Sequence, residues 1–146
     1  MLGLKNGRLF YIGVVFLTSF LLISCGKFDT EKHTESEPDV ISSIGIGNDD
    51  HLTIVANRDE IEDKAEFAKL LVDMCKENSF KTIKFSTDYG YSTSLEMRVY
   101  LWKDEIEGNE PVMIVKYKPV EWNKDYDIVN HPEMFELYVD GELIEY

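Results

Sequence analysis

Cysteine is nearly absent: Cys25 and Cys75 are the two in 146 residues. A disulfide framework of the kind that staples small secreted folds is therefore excluded. Histidine is almost as scarce, and His33, His51 and His131 are not spaced with one another or with a cysteine as a zinc site requires. Basic residues are few, 15 Lys and Arg against 28 Asp and Glu, for a net charge of −13. Phosphate backbones reward clustered Lys and Arg, so no nucleic-acid partner is expected. The chain also lacks a phosphate-binding loop, a nucleophile elbow, a dinucleotide fingerprint and any internal repeat. The calcium-loop template fails at "DEIEGNE" from Asp104, where glycine stands at the fifth position instead of the sixth. No metal, cofactor or catalytic residue is nominated.

Long hydrophobic runs are missing too. The one sustained stretch, "LFYIGVVFLTSFLLI" at 9–23, has fifteen uncharged residues after Lys5 and Arg8, fewer than the ~20 needed to span a bilayer. A basic start and a short apolar middle are the pattern of a secretory signal. The run ends on Leu22, Ile23, Ser24 and Cys25, an aliphatic residue at minus three and a small one at minus one before cysteine. This resembles the lipobox of bacterial lipoproteins. The resemblance covers residues 1–25 and implies cleavage after Ser24 and diacylglycerol on the Cys25 sulfur. The other reading of the same residues is an uncleaved signal anchor with an incidental cysteine. Both hold the domain on the extracytoplasmic face of a bacterial cell membrane. In the lipoprotein reading the membrane is a partner through the Cys25 anchor, with palmitate among the acyl groups. Two acyl chains, at ~0.8 kcal/mol per buried methylene, make attachment stable without a transmembrane helix. Loss of Lys5 and Arg8 leaves 13 basic against 28 acidic residues, a charge of −15. Anionic headgroups repel that charge over ~8 Å at physiological salt.

The mature chain divides by pattern into a tether, 25–50, and a folded domain, 51–146. "GKFDTEKHTESEPDVISSIGIGNDD", 26–50, is polar and aperiodic, and a flexible chain of that length spans about 25 to 30 Å. Its aliphatics Val40, Ile41, Ile44 and Ile46 leave docking as an edge segment open. "LTIVAN", 52–57, reads as a strand. From Arg58 to Glu77, Ile61, Ala65, Ala68, Val72 and Cys75 recur at helical spacing, widened by Phe67, Leu71 and Met74. Asn57 with Glu60 predicts the N-terminal cap and Asn78 the stop. Strands are predicted at 81–87, 95–105, 112–118 and 135–139, with Asp140-Gly141 turning a C-terminal hairpin. The expected class is α+β, one helix packed on a curved antiparallel sheet in the order β-α-β-β-β-β-β. That order is similar in topology to the cystatin-like arrangement, without an inhibitor-loop motif to carry activity across.

Chemistry is harder to place. Cys75 falls on the apolar stripe near the helix C-terminus, where a buried inert thiol is expected. Among 28 carboxylates nothing marks a glycosidase pair. Exposed aromatics among charges mark recognition surfaces, and Tyr89, Tyr91, Tyr100, Trp102, Trp122 and Tyr126 fall in turns or on the outward strand face. Burial of Tyr100 and Trp102 under another layer, the tether or the 119–134 connection is the competing reading. The function expected is a lipid-anchored, non-enzymatic binding or accessory domain that meets an envelope partner through these aromatics. Two alternatives stay open: a small envelope hydrolase using paired carboxylates, and an inhibitor or immunity protein presenting "STDYGYSTS".

Overall fold

Alternation of side chains decides which face of each strand is inside. On β4 (Met113–Pro119) Met113, Val115 and Tyr117 are buried while Lys116 and Lys118 face water. The computed structural model describes residues 33–146. Around β4 it assembles β1 (Asp39–Ile46), β2 (Asp49–Val55), β3 (Ser94–Tyr100), β5 (Phe135–Val139) and β6 (Glu142–Ile144) into one six-stranded sheet in sequential order. Among the described residues a single α-helix, α1 (Lys64–Glu77), enters between β2 and β3 and packs its Phe67, Ala68, Leu71, Val72 and Cys75 against the core. Full burial of a side chain such as Leu71 contributes about 2 kcal/mol. One helix on one face of a mostly antiparallel sheet is the α+β architecture the sequence predicts.

Four local expectations are corrected. The segment read as tether is structured from His33 onward, and 39–50 forms β1, the Gly47-Asn48 turn and the start of β2. The reason is Val40, which has no exposed surface and faces the core opposite Ile54. The sheet is mixed, because the helical crossover brings β3 back parallel to β2. The helix begins at Lys64 and not at Arg58: Asp63 accepts from the Glu66 N–H at 2.9 Å and is the cap. Asn57 instead adopts a left-handed backbone and donates its amide to the Glu37 carbonyl at 2.8 Å. Finally, 81–87 forms no strand. Ile83 and Phe85 do pack on the core, as their alternation implies, but the backbone of Phe85 is bound by the Asn78 side chain and joins no ladder.

Asn78 thus has two jobs. Its left-handed backbone, φ 53°, closes the helix with its N–H on the Cys75 carbonyl, and its side chain both accepts from Phe85 N–H at 2.8 Å and donates to Phe85 C=O at 2.9 Å. Asn78→Ala loses the preferred left-handed residue and both bonds, an expected cost of about 2 kcal/mol in urea unfolding. Asn78→Gly relieves the backbone and should recover part of the loss. Equal stability of all three proteins would show that the 80–87 segment holds itself.

Candidate functional site

The predicted aromatics separate into two groups at opposite ends of the sheet. Tyr100 and Trp102 lie at the end where β1 begins, and both are buried, each 7% exposed, so neither belongs to an exposed surface. What covers Trp102 is the segment that was expected to be tether. His33 stacks on the indole at 4.2 Å between ring centroids, and its Nε2 lies 3.2 Å from the Asp104 carboxylate. The indole Nε1–H donates to Asp59 at 3.0 Å, and Ser36 N–H donates to the Asn57 carbonyl at 3.1 Å. His33 and Ser36, at the start of the described residues, therefore pack at this end.

The other end lies one strand length away, about 24 Å along β1 at 3.4 Å per residue. Three connections meet there: the Gly47-Asn48 turn, the 86–94 loop and the 119–134 connection. Asn48 is the joint. Its carbonyl accepts from Thr93 N–H at 2.7 Å, and its amide donates to the Tyr89 carbonyl at 3.2 Å. Gly90, at φ 97°, supplies the left-handed turn that brings the loop against Asn48. Ile128 N–H donates to the Ser92 carbonyl at 3.0 Å, tying the third connection to the second.

Around this joint Tyr89 is 89% exposed and Trp122 85% exposed, while Tyr91 is about half that. Asn48 lines two recesses. One, of about 140 Å³, runs beneath Tyr89 and Tyr91 towards Cys75. The other, of about 460 Å³, lies beside Trp122 and is lined by Asp49, Lys118, Asn123 and Lys124. Asp49 is held in place there, its Oδ1 accepting from the Thr93 and Ser94 hydroxyls at 2.8 Å each. Trp122 stands just before a turn in which Asn123 accepts from Asp125 N–H at 3.0 Å and from Tyr126 N–H at 3.1 Å. Tyr126 itself is half-buried against His131 and the core, so it supports the connection from below.

Sequence reasoning found Tyr89, Tyr91 and Trp122 but missed Asn48 and Asp49, which it placed in the tether. The available signal was the Gly-Asn pair between two β-rich runs, a hairpin turn by composition. Cys25 lies outside the described residues.

Among the described residues, the carboxylates with displaced pKa values are Asp39, Asp127 and Asp140, all displaced downward. In each, partial burial is outweighed by hydrogen bonds: from Thr82, Lys81 and Val40 to Asp39, from Asn130 and Val129 to Asp127, and from Lys64 and Ile114 to Asp140. A general acid needs the opposite direction. Burial, with the Asp50 carboxylate adding to it, pushes the Cys75 thiol far above its ordinary range and keeps it protonated. Among the described residues no three His, Cys, Asp or Glu side chains gather as a metal site, and no helix is long and apolar enough to cross a membrane. Comparison of the chain with family models, curated proteins and solved structures gave no match.

Proposed function

We propose that this chain is an extracytoplasmic lipoprotein, anchored through diacylglycerol on Cys25, whose folded part is a binding domain that presents the Tyr89–Trp122 end of its sheet to an envelope partner. The observation that carries the binding half is the convergence on Asn48 of two loops bearing large exposed aromatics, Tyr89 and Trp122. A fixed backbone beneath exposed rings lowers the entropy that a partner must overcome. The anchoring half is supported by the order of basic start, apolar run and lipobox in residues 5–25.

Labelling with radioactive palmitate in a bacterial host tests the anchor. The wild-type chain is expected to take up label and sediment with membranes, and Cys25→Ala to lose both behaviours. Equal label in the two proteins would remove the lipoprotein reading.

A further inference from the structure

We propose that the Trp122 recess is a carbohydrate-binding site and that the partner of this domain is an oligosaccharide chain of the cell envelope. This rests on the extracytoplasmic binding reading and names its ligand class.

A sugar ring offers two kinds of surface: a patch of C–H bonds on its flat face and a perimeter of hydroxyls. A site for it needs an open aromatic platform next to short polar side chains that are already positioned. Trp122 supplies the platform. Its indole is exposed and has no hydrogen bond, ring contact or ion pair among the described residues, and the Asn123 turn fixes the backbone beside it. An unsupported indole at the surface gains nothing for the fold, whereas a stacked ligand would cover it.

The perimeter groups stand in the same recess. Asp49 uses Oδ1 for Thr93 and Ser94, so the carboxylate is oriented while Oδ2 has no partner among the described residues. The Lys124 ammonium is likewise unpartnered there, and Asn48 and Asn123 add amides at the recess wall. Asp49 Oδ2 can accept from one ring hydroxyl, and the Asn48 and Asn123 amides can donate to and accept from its neighbours. The volume, about 460 Å³, lies within the range of small-molecule sites.

Other ligand classes fit less well. Apart from Trp122 and Pro119 the lining is polar, so a hydrophobic peptide anchor finds no pocket to fill. The same lack removes an acyl chain, and the net charge of −13 disfavours a polyanion.

The test uses the full chain solubilised in detergent and three soluble, uncharged probes: hexamers of N-acetylglucosamine, of glucose and of mannose. A pool of twelve-residue peptides serves as the competing class. At least one saccharide is expected to bind saturably by calorimetry and to shield the exposed tryptophan from iodide quenching; Trp102, being buried, contributes little to that signal. Trp122→Ala should weaken this binding about tenfold or more, and Trp122→Phe, which keeps a flat ring, should retain most of it. Asp49→Asn should also weaken it while leaving the urea midpoint close to wild type. Failure of all three saccharides, binding that survives Trp122→Ala, or binding of the peptide pool alone each overturns the proposal. A chain that takes up palmitate through Cys25 but ignores saccharides keeps the anchored binding domain and loses only its ligand. A chain that binds saccharide without label does the reverse.

Discussion

A chain that begins at His51 is expected not to fold, whereas one that begins at His33 is expected to unfold cooperatively in urea with a well-defined midpoint. The shorter chain deletes β1 and the first two residues of β2. Val40, fully buried opposite Ile54, contributes about 1.5 to 3 kcal/mol through its burial alone. Asp39 accepts from the N–H groups of Val40, Lys81 and Thr82 and from the Thr82 hydroxyl, bonds worth about 1 kcal/mol each when discounted for solvent. Asp49 and Asp50 anchor Thr93, Ser94 and Ser92. Trp102 loses its His33 cover, and Asn57 its Glu37 and Ser36 partners. Together these losses exceed about 5 kcal/mol, comparable with the whole stability of a small domain. Far-UV circular dichroism and urea titration of the two chains provide the comparison. Identical midpoints would make β1 an appendage of an independent sheet.

The same segment shows what was legible in the sequence and what was not. Strict alternation announces β3 and β5, and the helical stripe announces α1, because each buries one face over several residues in a row. In β1 that signal is broken. A bulge between Val40 and Ser42 shifts the register, so the aliphatics at 40, 44 and 46 do not share one face: Val40 points to the core while Ile44 and Ile46 point outward. A strand with one fully buried residue and four polar or glycine positions reads as linker by composition. The helix start was misplaced for a related reason. Five acidic residues between Asp59 and Glu66 all suit a helix N-terminus, and only geometry shows that Asp63 makes the capping bond. The segment 81–87 failed in the other direction. Ile83 and Phe85 alternate because they pack on the core, but their backbone is satisfied by a side chain, which periodicity does not record.

The candidate site was half legible. Tyr89, Tyr91 and Trp122 could be picked out as aromatics in turn-rich sequence, while Tyr100 and Trp102 could not be told apart from them. Tyr100 ends β3 and Trp102 follows it by two residues, and what covers Trp102 is His33, 69 positions away in the chain. Only tertiary contact separates an anchor for the N-terminal segment from a surface for a partner. Asn48 and Asp49 were lost because the strand that carries them was lost. The function of a joint between three loops is not visible in any one of them.

Asp39→Ala is expected to lower stability by about 2 kcal/mol at pH 7 and to remove part of the acid lability of the wild type. Asp39 sits at the start of β1 and clamps Lys81 and Thr82, so it joins the first strand to the chain leaving the helix. Its carboxyl is held below the usual value of 3.8: partial burial would raise it, and the Thr82, Lys81 and Val40 donors outweigh that effect. A folded-state pKa below the unfolded one means the unfolded chain binds the proton more readily, so the contribution is complete above about pH 4. It disappears as the pH falls through the depressed folded value. Urea midpoints measured between pH 7 and pH 2 should therefore fall on the acid side for the wild type, with Asp127 and Asp140 adding slopes of the same sign. Asp39→Ala should start lower and fall less. Asp39→Asn separates charge from hydrogen bonding, because the amide oxygen still accepts from the backbone and its NH₂ faces the Thr82 hydroxyl, which can itself accept. That variant should lie between the other two at pH 7 and share the shallower acid slope of the alanine protein. If all three proteins lost stability in parallel through pH 4, the clamp would be neutral in effect and the acid response would belong to the remaining carboxylates.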